Sequence, residues 1–180
     1  MDYRLRQATG IAKAPFVADF VRLLLESQDK VVLFGWHRAV YDVWLHRLQF
    51  FKPVDAFING DSRVLIISLR SGAGLDGLQH VASTIVFGEL DWSPGVHRPG
   101  HPGKLNRDGQ KHKVLAYFCV STDGSDPVIL DVLNLKAMES KRLTGAADTI
   151  GARPADASAS QIKQLASAVL AKANVEVPRG

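Results

Sequence analysis

Four short apolar runs constrain this chain more than anything else in it: KVVLFGW from residue 30, RVLIIS at 63–68, STIVFGEL at 83–90 and KVLAYFCVS at 113–121. Each has the length of a strand and is continuously apolar instead of alternating, the pattern of a strand buried on both faces. Such strands need helices above and below them, and the intervening segments supply helical patterns. HRAVYDVWLHRLQFF places Val40, Val43, Trp44, Leu45 and Leu48 on one helical face, and DPVILDVLNLKAMESKRL reads as a further helix. Upstream, residues 8–27 carry Phe16, Phe20, Leu23 and Leu24 at helical spacing before the polar breaker SQDK, which predicts an amphipathic helix entered at Pro15. Strands alternating with helices predict an α/β fold with a mostly parallel sheet covered on both faces.

A length of 180 residues fits one domain with a real core. After Gly145 the composition turns to Ala, Ser, Asp and Pro. The reading is therefore a lobe over 1–145, then a flexible linker and a short C-terminal helix over 146–180 with Ile162, Leu165, Val169 and Leu170 as its apolar positions. No apolar run approaches the roughly 20 residues of a spanning helix, and MDYRLRQATG has no apolar signal core, so a cytoplasmic chain without membrane contact is expected. The single cysteine, Cys119, excludes an internal disulfide and a multi-cysteine zinc site, and its apolar neighbours read as core. A net charge of +4 is compatible with a polyanionic partner and equally with a basic enzyme.

In an open parallel sheet ligands bind at the carboxyl ends of the strands, so the segments after the four runs matter most. After the second run, Ser68, Arg70, Gly72 and Gly74 offer a hydroxyl, a cation and exposed backbone, a cradle for a phosphate. Asp76 comes next, where a carboxylate either accepts hydrogen bonds from a ribose or caps a short helix. After the third run, GKLNRDGQ presents Lys104 and Arg107 three apart between glycines, a presentation suited to phosphate. His97 and His101 are four apart, but the prolines between and beside them remove the helix that would make them a metal pair, so no metal site is assigned.

GWHRAVYDVW, SLRSGAGLDGLQ, FGELDWSPGVH and KLNRDGQ, in that order, resemble motifs four, five and six of superfamily 2 helicases, with the closest wording in the Swi/Snf-type DEAD/DEAH-box ATPases. The resemblance covers roughly residues 1 to 143 and implies the C-terminal, RecA-like lobe of such an enzyme. It implies Arg107 as the arginine finger with Lys104 beside it, Asp76 and Gly74 at the nucleotide, and Ser68, Arg70, His37 and Arg38 at the nucleic acid, DNA rather than RNA. No GxxxxGK[ST] and no magnesium-binding carboxylate box occurs in the chain. ATP and Mg2+ would therefore be held mainly by an N-terminal lobe supplied in cis or in trans, and by this chain alone neither.

Two departures bear on that implication. After His97 the family continues with an acid, a glutamine and then Gly-Arg, whereas this chain reads RPGHPGK, and lysine at 104 lacks the planar fork of arginine. Between LQFFKPV and DAFINGDSRVLII the family has a further strand, a threonine-glycine turn and most of a helix, so a smaller sheet lacking one strand-helix unit is expected, with exposed apolar surface as the cost. The alternative function is a non-catalytic nucleic-acid-binding or interaction module remaining from a truncated helicase gene.

Overall fold

The computed structural model describes residues 3–48, 54–69, 77–93, 105 and 108–133. Its elements in chain order are α1 (Tyr3–Leu24), β1 (Val31–Gly35), α2 (Arg38–Leu48), α3 (Val54–Asn59), β2 (Val64–Ser68), α4 (Leu78–Val81), β3 (Thr84–Phe87) and β4 (Leu115–Phe118). Residues 126–133 are helical as well. All four apolar runs form strands, and every pairing among them is parallel, in the order β2-β1-β3-β4. The tail over 146–180, expected as linker and helix, lies outside the described residues.

Two apolar layers flank the sheet. Val31, Leu33, Val64 and Val86 point to one face and pack with Ala14, Val17, Ala18 and Val21 of α1 and Val40, Trp44 and Leu48 of α2. Val32, Phe34, Leu65, Ile67, Ile85 and Phe87 point to the other, where Phe57 of α3 and Leu78 of α4 cover them. The period-2 alternation of side chains along each strand produces this division, and continuous apolarity serves both faces. Phe34, Phe87 and Phe118 sit at one level across three strands, with centroids 5.3 and 4.7 Å apart.

The first helix differs from its sequence reading. It starts at Tyr3, not at Pro15, and Pro15 lies inside it. Its buried face is Thr9, Gly10, Lys13, Ala14, Val17, Ala18 and Val21, while Phe16 is 74% exposed. The reason is close approach to α2. Small residues at 10, 14 and 18 recur every four positions, so they line one face. A Cβ at Gly10 would sit 2.9 Å from Val40 Cγ2, and Trp44 Nε1 donates to the Ala14 carbonyl at 3.1 Å. Larger side chains such as Phe16 are turned outward.

Arg63 joins the end of this helix to the sheet. Its guanidinium donates to the carbonyls of Leu25, Gln28 and Asp29, just beyond α1, at 2.7 to 2.9 Å. Its own carbonyl accepts the Val31 amide at 2.9 Å, so one residue sets where β1 and β2 begin. The exposed apolar surface expected where a strand-helix unit is missing does not show among the described residues around β2. Among the described residues the large exposed apolar side chains lie on α1, on β4 and in the segment between Val120 and Val128.

Candidate functional site

Parallel strands put all four carboxyl ends along one edge, and the loops leaving that edge are tied together by polar contacts. After β1 comes Trp36-His37, after β2 Ser68-Leu69, after β3 Gly88 to Ser93, and after β4 Ser121 to Asp126. The ladder runs one step past the strands: the Gly88 amide donates to Phe34 O at 2.9 Å and the Leu69 amide to Gly35 O at 2.8 Å. Glu89 is the centre of the arrangement. Its Oε2 accepts the backbone amides of Trp36 (2.6 Å) and His37 (2.9 Å), and its Oε1 lies 2.6 Å from His37 Nδ1.

A second polar group comes from α1. Tyr3, Arg6, Thr9 with Gly10, and Lys13 recur at helical spacing, so one stripe of the helix faces the loops. The Tyr3 ring meets the His37 ring edge-on at 4.8 Å. Arg6 donates to Leu90 O at 2.9 Å and pairs with Asp91 at 3.9 Å. Thr9 Oγ1 accepts the Ser125 amide at 3.0 Å. Lys13 Nζ donates to Cys119 O at 2.8 Å and to Asp126 Oδ2 at 2.6 Å, and that oxygen also accepts the Ser121 amide at 2.9 Å. Together Arg6, Lys13, Glu89 and Asp126 line a small polar cleft closed by Gly10, Leu90, Ser125 and Ile129.

Of the residues expected at a site, three are described. Ser68 ends β2, half-buried and level with Gly35. Beside it lies the Tyr41 phenol, whose pKa burial pushes up to about 12; the Glu89 charge adds to the rise and the Ser68 hydroxyl opposes it. The Tyr41 oxygen has no partner of normal hydrogen-bond geometry. Arg38 begins α2 and is exposed, open to a phosphate. His37 is placed differently from the nucleic-acid contact expected of it. Its side chain is 1% exposed, held by Glu89 and covered by Tyr3, so it cannot touch a polyanion without leaving both. Arg70, Gly74, Asp76, Lys104 and Arg107 lie outside the described residues, as do His97 and His101.

Sequence reasoning missed Glu89 and the stripe on α1. The available signal for Glu89 was a strand-length apolar run that ends in an acid, FGEL; for the stripe it was Arg6, Thr9 and Lys13 at helical spacing, which a search for apolar periodicity discards. Chemically, the described edge carries an exposed guanidinium at Arg38 and a half-buried hydroxyl at Ser68, groups of the kind that meet a phosphate. Among the described residues no group of three His, Cys, Asp or Glu side chains is arranged to hold a metal ion. Among them, too, no helix is long and apolar enough to cross a membrane.

No protein-family model matches the chain. It is 26% identical over 174 residues, 85% of its length, to the human protein "DNA annealing helicase and endonuclease ZRANB3", and 28% identical over 154 residues to the mouse protein of that name. It is 25% identical over 154 residues to the Drosophila melanogaster "SWI/SNF-related matrix-associated actin-dependent regulator of chromatin subfamily A-like protein 1". The chain spans only 14 to 20% of the length of these relatives. Among solved structures, "Crystal structure of the C-terminal part of Fun30 ATPase domain" superposes with a TM-score of 0.53 at 18% identity, over 64% of this chain and 44% of that one. Sequence and fold together support one assignment, a C-terminal RecA-like lobe of the Swi/Snf-type superfamily 2 helicases.

Proposed function

We propose that the chain works as the second lobe of a DNA-dependent ATPase of helicase type, closing over ATP carried by a first lobe and gripping one strand of DNA. The observation that carries the reading is the all-parallel sheet in the order β2-β1-β3-β4, because it starts the segments bearing Arg38, Ser68-Arg70, Asp76 and Lys104-Arg107 from one edge. In this reading Arg107, with Lys104, stabilises charge on the transferring phosphoryl group. Asp76 and Gly74 meet the nucleotide, and Ser68, Arg70 and Arg38 meet the DNA backbone. The first lobe, in cis or in trans, supplies the phosphate loop and the ligands for Mg2+. DNA rather than RNA is supported by what the relatives are called.

The test combines the chain with a Swi/Snf-type first lobe, ATP and duplex DNA. DNA-stimulated hydrolysis is expected, and Arg107→Ala is expected to lower kcat by about 10³-fold or more, the scale of a lost arginine finger. Binding of DNA should weaken steeply as salt rises, since phosphate contacts release counterions. Absence of hydrolysis with every first lobe tried, alongside retained salt-dependent binding, would leave the second reading, a non-catalytic binding module. The observation favouring that reading is the stretch RPGHPG, where prolines disfavour the helix that would aim Lys104 and Arg107.

A further inference from the structure

We propose that Glu89 is a positioning residue that locks the loop after β1 to the loop after β3, so that the two move as one unit. Glu89 belongs by its backbone to the β3 loop, yet all three of its carboxylate contacts belong to the β1 loop: Trp36 N–H, His37 N–H and His37 Nδ1. The carboxylate is an acceptor, so the proton of the short 2.6 Å contact sits on Nδ1, and this leaves His37 Nε2 buried with no partner. A ring held at that cost is oriented by Glu89 and not by its own other nitrogen. Glu89 is 4% exposed, so its three bonds are made in a largely desolvated setting, where bonds to a charged acceptor are strong.

The other side of the β3 loop is held by Arg6 of α1. Leu90 O takes the Arg6 guanidinium at 2.9 Å, and the Asp91 carboxylate accepts the Ser93 amide at 2.9 Å. A Cβ at Gly10 would lie 2.6 Å from Glu89 Oε1, so α1 leaves the carboxylate one place to be. Moving the β3 loop therefore means either breaking three charge-assisted bonds or carrying Trp36 and His37 along. Lys104 and Arg107 come after Glu89 in the same connection between β3 and β4, and Arg38 is the residue next to His37. For its effect on catalysis the inference rests on the proposed ATPase reading; for the coupling itself it does not.

The experiment measures amide hydrogen exchange by NMR on the full chain, comparing wild type with Glu89→Gln and Arg6→Ala. Glu89→Gln is expected to lower protection at Trp36 and His37 by about ten- to hundredfold, the scale of hydrogen bonds to a charged acceptor. Arg6 bonds to Leu90 and pairs with Asp91 but donates nothing to Trp36 or His37, so Arg6→Ala perturbs one loop and is read at the other. Protection at both Trp36 and His37 is expected to fall about tenfold together with that at Ser93. Val21→Ala, in the core between helices and sheet, serves as a control matched in global stability. Loss at Ser93 alone, or equal losses in the control, overturns the proposal. With a first lobe and ATP, Glu89→Gln is expected to lower kcat by about 10- to 100-fold, as misplacement of reacting groups does, with KM for ATP within about twofold. An unchanged kcat overturns the positioning role. Should the wild-type mixture fail to hydrolyse ATP, the ATPase reading falls while the exchange data still decide the coupling.

Discussion

Removing the ammonium of Lys13 should unfold this lobe more readily than removing almost any surface charge. Lys13 Nζ lies 2.6 Å from Asp126 Oδ2, and the two side chains are only 10% and 3% exposed. An exposed ion pair contributes about 0.2–1 kcal/mol, but deleting one partner of a buried pair strands the other charge and costs about 3–5 kcal/mol. Lys13→Met also leaves the Cys119 carbonyl without this donor. Against a total of about 5–15 kcal/mol for a domain, that is about a fifth of the stability or more. Urea unfolding tracked by tryptophan fluorescence reads it as a lower midpoint at unchanged slope. The double variant Lys13→Met/Asp126→Leu should recover part of the loss, because it removes both charges; the remainder, about 1–3 kcal/mol, belongs to the Ser121 amide and the Cys119 carbonyl, each left without this partner. A cost below about 1 kcal/mol for Lys13→Met, or a double variant as costly as the sum of the single ones, would refute the reasoning.

Gly88→Ala is expected to cost about 1–3 kcal/mol by overpacking, since the new Cβ would lie 2.6 Å from Trp44 Cη2 and 3.1 Å from Val17 Cγ1, with the indole fully buried and bonded to Ala14. Adding Trp44→Phe should make the pair cost less than the sum of its parts, and additivity in thermal melts would contradict the clash. Burial pushes the Cys119 thiol from 9.0 up to about 11. Between those values the unfolded chain has lost a proton that the folded chain keeps, so stability is full below pH 9 and falls as pH rises, by about 1–3 kcal/mol. Tyr41, raised from 10.0 to about 12, acts in the same direction from pH 10 upward. Cys119→Ala should flatten the fall between pH 9 and 10 in urea midpoints, and an unaltered slope would assign it elsewhere.

The strands in KVVLFGW, RVLIIS and STIVFGEL were legible because burial on both faces leaves almost no polar residue to disguise them; the one in KVLAYFCVS was legible from the same apolarity although it is an edge strand of the described sheet with Leu115 and Phe118 exposed. Their order was not, since β1 finds β3 as a neighbour across a long stretch of chain whose composition says nothing of adjacency. The first helix was misread for a physical reason. Apolar periodicity rewards bulk, so Phe16 outranked Gly10, Ala14 and Ala18, whereas a helix pressed against α2 needs its smallest side chains inside. His37 looked available because it lies in the stretch that resembles motif four, which says nothing of its burial. Its burial is set by Glu89, which is 52 residues away in sequence.

The shortened connection between β1 and β2 accounts for one further feature of the sheet. Two neighbouring parallel strands need a single crossover with its helix on one face. Here α2 packs on the face of Val31 and Leu33, whereas Phe57 of α3 packs on the opposite face with Val32 and Phe34. One helix on each face is what two successive crossovers would leave if the strand between them were taken out, in keeping with the shorter connection that the resemblance implies between LQFFKPV and DAFINGDSRVLII. Among the described residues β2 pairs with β1 alone, so an additional strand joined by one crossover on each face would lie at the outer edge of β2. The five pairings from Val31↔Val64 to Gly35↔Ser68 do not depend on an outer neighbour. Ser68 is therefore level with Gly35, next to the loop that Glu89 holds, and the alignment of these strand ends with those of β3 and β4 needs no strand beyond β2.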